Sequence, residues 1–450
     1  MYNGYVMEEQ NIKKSFFENL FRPVGILASL SVGLALSALV LFALRKESSA
    51  DLFECLYTAV SAFTLCGSSI VNLSGFGIPG IFFIALLCEA GSVFALYVSC
   101  RLILACGHAA ELVIGRKRWL FALASPTCGR DLLVYIISYL AVLQVMGGLA
   151  LFGVFAPAYP AAKAAGLAAF TSVSAVTGCG MSLLDGRALG IFSVNYSYDI
   201  VCSVLVLLSA LGPLFAAAAV SARSRGRLSR TMLMQSVFFL ILTLVMSAAV
   251  CALEWDGTLP AQSAVSTAVL RVLGARSASL IGGNTVGSVS FASRVILFIA
   301  MFTGGLSGSS TGGLRMGAVM LLCIYLVLAP SCGENIRTKK VRFARSAFIK
   351  PIYLALSGIA FILVMSLAMS AACSLDYSDV LFETASAYTL SGIHAADVRQ
   401  LPAVFSALYM VTMLAGRLLP MYFSRALDLS VSKEEPLSGQ LMLGRSDMVV

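Results

Sequence analysis

Continuous apolar runs of about 20 residues or more, the length of a helix that crosses a bilayer, recur along this chain. They cover Pro23–Leu44, Ile78–Leu104, Leu132–Ala156, Ile191–Val220, Thr231–Leu253, Ile296–Ala329, Ile352–Cys373, and Pro402–Gly416 with a continuation to Phe423. A membrane barrel would show ten-residue segments of alternating character instead. Only 12% of the 450 residues are charged and 59% are hydrophobic, against about 25% charged in an ordinary soluble domain. The expectation is an all-α polytopic membrane protein of eight spans, with the lipid bilayer as its first partner.

Lys and Arg in the connections set the orientation. The N-terminal tail (Lys13, Lys14, Arg22) and the segments Arg101–Arg130, Arg223–Arg230 and Arg337–Lys350 are basic, one after every second span. Both termini and these loops are therefore predicted to be cytoplasmic, in a plasma membrane. The net charge of +9 then belongs to topology, and no nucleic-acid partner is expected. The first run is too long for the apolar region of a signal peptide, so it is read as a retained span. The 12 cysteines show no metal-ligand spacing, and most lie in apolar stretches.

Three related heptads lie between odd and even spans: SAFTLCG (Ser61–Gly67), SAVTGCG (Ser174–Gly180) and SAYTLSG (Ser386–Gly392). Leu56–Gly67 and Leu381–Gly392 agree at six of twelve positions, and each heptad closes a short apolar run too brief to span. Gly180 and Gly392 are almost twice as far apart as Gly67 and Gly180, so one copy is missing near residue 286, where the chain reads Ala275–Thr285. The repeat unit is span, half-helix, glycine-ended segment, span, in four copies. The boundaries read as a tail 1–22, repeats 23–106, 131–222, 231–329 and 348–425, and a tail 426–450.

Non-helical backbone at membrane depth survives only when buried in protein or lining a wet path. Four such segments around one axis would place peptide carbonyls in rings that replace the hydration shell of a cation. Glycine permits the backbone angles this needs. The C-terminal ends of the half-helices, each with about half a negative charge, favour a cation there. The predicted lining is Leu65, Cys66 and Gly67, then Gly178, Cys179 and Gly180, then a third segment, then Leu390, Ser391 and Gly392.

Span six carries Gly304, Gly305, Gly308, Gly312 and Gly313, with Ser307, Ser309, Ser310 and Thr311 between them. Each helical glycine costs about 0.8–1 kcal/mol relative to alanine, so the helix should break there; close helix packing is the alternative. Arg417 lies deep in the last span and must face a cavity or a partner, or cap half-helix carbonyls. Glu89 and Asp199 read as hydrogen-bonded structural groups, and Asp51, Glu54, Asp379 and Glu383 as caps at half-helix starts. His108 and His394 belong to no ligand cluster.

The four repeats, the stretch Gly304–Arg315 and the run Gly416-Arg-Leu-Leu-Pro420 together resemble the Trk/Ktr/HKT superfamily of potassium and sodium translocating proteins, most closely its eight-span Ktr-type membrane subunit. The resemblance covers about Phe21 to Arg425. It implies a K+ selectivity filter, an intramembrane gate loop at 303–315 in which Arg315 stands where the family usually has lysine, and an Arg417 that tunes cation occupancy. The family's third-repeat run Arg-Thr-Ala-Gly-Phe-Asn best fits Arg276 to Ile281, which makes Ala278 and Ser279 filter residues; the rival register uses Gly282 or Gly283 followed by Asn284 and Thr285. A serine at that glycine accompanies sodium transport in some members. The resemblance also implies a homodimer and a separate cytosolic ring of regulatory subunits that bind ATP/ADP or NAD(H). No organic cofactor is expected in the chain itself.

Other classes fit less well. An enzyme would need a nucleophile, a metal or paired carboxylates at membrane depth, and none is patterned here. A carrier would usually show inverted repeats, whereas these four run in one orientation. A receptor would need a sizeable domain outside the spans.

Overall fold

The computed structural model describes residues 23–45, 50–105, 129–184, 195–225, 230–255, 257, 260–277, 289–328, 335–337, 342–344, 348–396 and 401–431. Every quarter of the chain follows one plan. The first holds α1 (Pro23–Leu44), α2 (Leu52–Thr64) and α3 (Gly77–Ala105); the second α4 (Gly129–Phe155), α5 (Ala161–Thr177) and α6 (Tyr196–Arg225). The third holds α7 (Arg230–Glu254), α8 (Ala261–Ser277) and a broken second span, α9 (Phe291–Phe302) and α10 (Met316–Leu328). The fourth holds α11 (Ile349–Ser370), α12 (Tyr377–Thr389) and α13 (Ala403–Val431). A two-stranded antiparallel hairpin, β1 (Asn335–Arg337) and β2 (Arg342–Ala344), qualifies the purely helical expectation; it sits in the basic segment between spans six and seven.

Six helices among the described residues are long and apolar enough to cross a membrane, within α3, α4, α6, α7, α11 and α13. Their outer faces agree with that. Val142, Met146 and Leu149 on α4 are more than 60% exposed, a row of bare apolar side chains that is stable against lipid rather than water. The short helices are buried instead: Tyr57, Ala59 and Ala62 on α2 and Glu383, Ala385 and Ala387 on α12 have no exposed surface.

Packing closes the four quarters into a ring. The second long helix of each quarter lies against the short helix of the next: α3 on α5, α6 on α8, α9 on α12, and finally α13 on α2. Two glycines permit equivalent close approaches. A Cβ on Gly91 of α3 would collide with the Phe63 carbonyl, and one on Gly416 of α13 with the Tyr388 carbonyl. Phe63 and Tyr388 hold the same place in SAFTLCG and SAYTLSG, and Gly91 and Gly416 stand equally far beyond Gly67 and Gly392, so the repeat extends into the second spans.

Span four departs from its expectation. Its helix begins at Tyr196 rather than Ile191, and it is broken at Gly212, whose φ of 76° and ψ of 168° are not helical. Pro213 follows; proline has no N–H and its ring clashes with the preceding turn, so the hydrogen-bond ladder is interrupted before it. The Tyr139 hydroxyl donates to the Leu208 carbonyl at 2.7 Å and the Tyr135 hydroxyl to the Pro213 carbonyl at 3.0 Å. The third donor, to the Ala210 carbonyl at 2.9 Å, is the backbone N–H of Leu306 in the glycine-rich stretch.

Candidate functional site

All four short helices end in the same way. Their last residues are hydroxyl-bearing and donate back to the carbonyl four residues earlier: Thr64 to Val60, Thr177 to Val173, Ser277 to Leu273 and Thr389 to Ala385, at 2.8, 2.8, 2.9 and 2.7 Å. After the helix end, three described segments share one backbone pattern. Leu65, Gly178 and Leu390 have φ of 65°, 81° and 58°, and two residues later Gly67, Gly180 and Gly392 have φ of 81°, 76° and 65°. A leucine in that left-handed region costs about 1–2 kcal/mol. Leu65 and Leu390 are at most 2% exposed, so close packing on every side holds them there. Cys66 and Cys179, between the paired left-handed residues, are fully buried. The side chains of these segments thus point into the protein's cores, leaving backbone for any axial surface.

Each segment is also tied to its own short helix. Tyr57 and Ser68 share a hydroxyl hydrogen bond of 2.7 Å, Ser174 donates to the Met181 carbonyl at 2.7 Å, and Ser386 and Ser391 lie 3.2 Å apart. The expected third-segment residues Ala278, Ser279, Gly282 and Gly283 lie outside the described residues. The matching helix ends put Leu280, rather than Ser279, at the place of Gly67, Gly180 and Gly392 by residue count.

The glycine-rich loop between α9 and α10 leaves and returns at one point. Gly304 N–H donates to the Leu314 carbonyl, Leu314 N–H to Phe302 and Met316 N–H to Gly305, at 2.9, 3.0 and 3.0 Å. Residues 303–311 are buried. A Cβ on Gly312 would collide with the carbonyl of Thr389, and one on Gly212 would lie 2.8 Å from that of Gly308. The loop therefore touches the end of α12 and fills the break in α6.

Three arginines hold its carbonyls. Arg417 donates through Nη1 to Ser310 at 2.8 Å and through Nη2 to the Thr64 carbonyl at 2.6 Å, so one guanidinium joins the loop to the end of α2. Arg315 donates to the Ser309 carbonyl and the Ser99 hydroxyl, both at 2.8 Å. Arg276 donates from Nε to Thr303 at 2.8 Å and to Phe239 and Thr243 of α7, with its guanidinium 4.0 Å from the Phe239 ring centre. The cap on half-helix carbonyls expected as one reading of Arg417 is what the geometry contains, and it reaches the loop as well.

The crystal structure of the potassium transporter TrkH from Vibrio parahaemolyticus matches with a TM-score of 0.64 at 17% identity, over 84% of this chain and 78% of that one. The two share one fold. No family model and no curated protein matches the sequence.

Within this TrkH fold the acidic residues divide. Asp51 and Glu54 form the expected capping box on α2: the Asp51 carboxylate accepts from Leu52 N–H at 2.8 Å, and Glu54 accepts from Asp51 N–H at 3.0 Å. Asp379 makes no such cap; it pairs with Arg294 of α9 at 3.1 Å. Glu383 is not a helix-start group either. It lies midway along α12, fully buried, and accepts from the N–H groups of Ala395 and Ala396 at 2.7 and 3.1 Å while its other oxygen lies 2.9 Å from His394 Nδ1. Gln144 donates to Glu89, and Ser266 and Thr267 donate to Asp199 at 3.1 and 2.8 Å, the structural role expected of both carboxylates.

The tyrosine pair, the break in α6 and the roles of Arg276 and Glu383 were not foreseen. The Gly-Pro dipeptide at 212–213 was the legible signal for the break; a polar residue that acts across the fold leaves no local pattern.

Proposed function

We propose that the chain is a membrane pathway for monovalent cations, potassium first, and belongs to the Trk/Ktr/HKT superfamily. The observation that carries this reading is the paired left-handed backbone after the short helices, with its side chains turned into the cores. Such a backbone offers carbonyls rather than side chains to the centre of the ring, and the negative ends of the short-helix dipoles favour a cation there. Leu65–Gly67, Gly178–Gly180, a third segment beginning at Ala278, and Leu390–Gly392 would form the selectivity filter.

The glycine-rich loop, touching the end of α12 and the break in α6 and joined to the end of α2 through Arg417, would obstruct the path below the filter. A homodimer docked through its basic loops on a cytosolic ring that binds ATP/ADP or NAD(H) would bias the loop between closed and open forms. Both termini would lie on that cytosolic side. A sodium-permeable variant is favoured by the register that places Ser279 at the filter glycine, whereas the rival register at Gly282 or Gly283 would supply that glycine and favour potassium.

Purified protein in liposomes tests the reading. Flux of potassium above that of sodium, driven by a valinomycin-free gradient, is the expected outcome, and equal flux would select the sodium-permeable variant. Liposomes no more permeable than empty ones, both alone and with the cytosolic fraction and each nucleotide added back, would overturn it.

A further inference from the structure

The ties that bind the three described filter segments to their short helices differ in chemistry. In the first and second they are neutral hydroxyls, Tyr57 to Ser68 and Ser174 to the Met181 carbonyl. The fourth adds a buried carboxylate. Counted from the common helix-end hydroxyl, the position of Glu383 is held by Thr58, Thr171 and Arg271 in the other quarters. Thr58 turns back onto its own helix, donating to the Glu54 carbonyl at 2.9 Å. Glu383 instead leaves α12 and takes two successive backbone N–H groups, Ala395 and Ala396, on a single oxygen, just past Gly392.

We infer that Glu383 is a positioning residue for ion preference, acting through the backbone of Leu390–Gly392. Left-handed backbone at Leu390 persists only where the surroundings over-determine it. The lower end of the segment is fixed by the last turn of α12, where Leu390 N–H still reaches the Ala387 carbonyl. The upper end, Ile393–Ala396, has the Glu383 carboxylate as its anchor, with His394 packed against the Tyr409 ring at 6.1 Å between centroids. A segment held at both ends offers its carbonyls at one spacing. Released at the upper end, it can relax around ions of different radius, and preference between them falls. Hydrogen bonds to a charged acceptor are about twice as strong as neutral ones, so the fourth segment is pinned more firmly than the first two.

This inference rests on the cation-pathway reading and is tested on the full chain in liposomes by the ratio of potassium to sodium flux. Glu383→Ala removes the anchor, and Glu383→Asp keeps the charge but shortens its reach. Both are expected to lose most of the preference, with the ratio falling toward one. Glu383→Gln keeps an oxygen for both N–H groups but loses the charge, so its ratio should fall between those of the original chain and Glu383→Ala. Amide exchange at Ala395 and Ala396 should rise most in the Ala and Asp variants and less in the Gln variant. Should Glu383→Ala fail to fold, Glu383→Asp decides alone. Faster exchange with an unchanged flux ratio would overturn the inference while leaving the pathway standing. A wild-type chain that carries no cation would overturn the pathway itself.

Discussion

At the scale of single residues, the arginines set the terms. A guanidinium at membrane depth costs at least a few kcal/mol on insertion scales, so each must be repaid locally by acceptors. Arg417 finds its acceptors in two carbonyls that no helix satisfies, Thr64 at the end of α2 and Ser310 in the loop. Arg417→Met keeps length and packing but removes every donor, and a lost charge-assisted hydrogen bond is worth about 1.5–3 kcal/mol. If the loop is the obstruction, its open fraction should rise at least about tenfold, since 1.4 kcal/mol is a factor of ten. Cation flux is expected to increase accordingly, with Arg417→Lys in between because an ammonium cannot bridge both carbonyls in one plane. Flux at or below the original level in well-folded Arg417→Met would rule out Arg417 as a tie that holds the loop closed.

The loop and the broken α6 form a single joint at the scale of elements. Gly212 and Pro213 expose the Ala210 carbonyl, Leu306 takes it, and the space a Cβ would need at Gly212 is filled by the Gly308 backbone. A helix interior could supply neither the free acceptor nor the room. Deleting Leu306–Ser310 should leave the pins at Gly304, Gly305 and Leu314 in place while removing the part that enters the joint. The expected result is higher cation flux, independent of cytosolic partners, with the potassium-to-sodium ratio nearly unchanged. A collapse of that ratio would assign the stretch to the filter, and unchanged flux would return it to the alternative of simple close packing.

The whole molecule is a ring of four quarters whose outer helices present apolar side chains. Its sidedness is open to a direct check on single-cysteine variants. Cys323 on α10 is exposed on the outer surface, whereas Cys66 and Cys179 have no exposed area. A membrane-soluble maleimide should label Cys323 slowly but well ahead of Cys66 and Cys179, which should stay unmodified until the protein is unfolded. Rapid labelling of Cys66 or Cys179 from the lipid phase would turn those segments outward and dismantle the ring.

The sequence alone determined what depends on local composition and period. Apolar length specifies spans, the SAxTxxG heptads mark where three short helices stop, and glycine density breaks span six at Gly304–Gly313. Each of these is a property of neighbours along the chain. Sequence alone also suggested a fourfold repeat, because duplicated segments keep their small residues. Tertiary structure decided the rest. Nothing near Arg417 in sequence announces Thr64 or Ser310, which lie 353 and 107 residues away. Glu383 was read as a helix-start cap because carboxylates are common there; it reaches instead for amides 12 and 13 residues on, past a turn whose path only packing defines. The tyrosines of α4 gain their role only because α6 breaks beside them. The physical reason is common to all three: a buried polar group must find a partner somewhere, and which partner lies within hydrogen-bond distance is settled by how the helices cross.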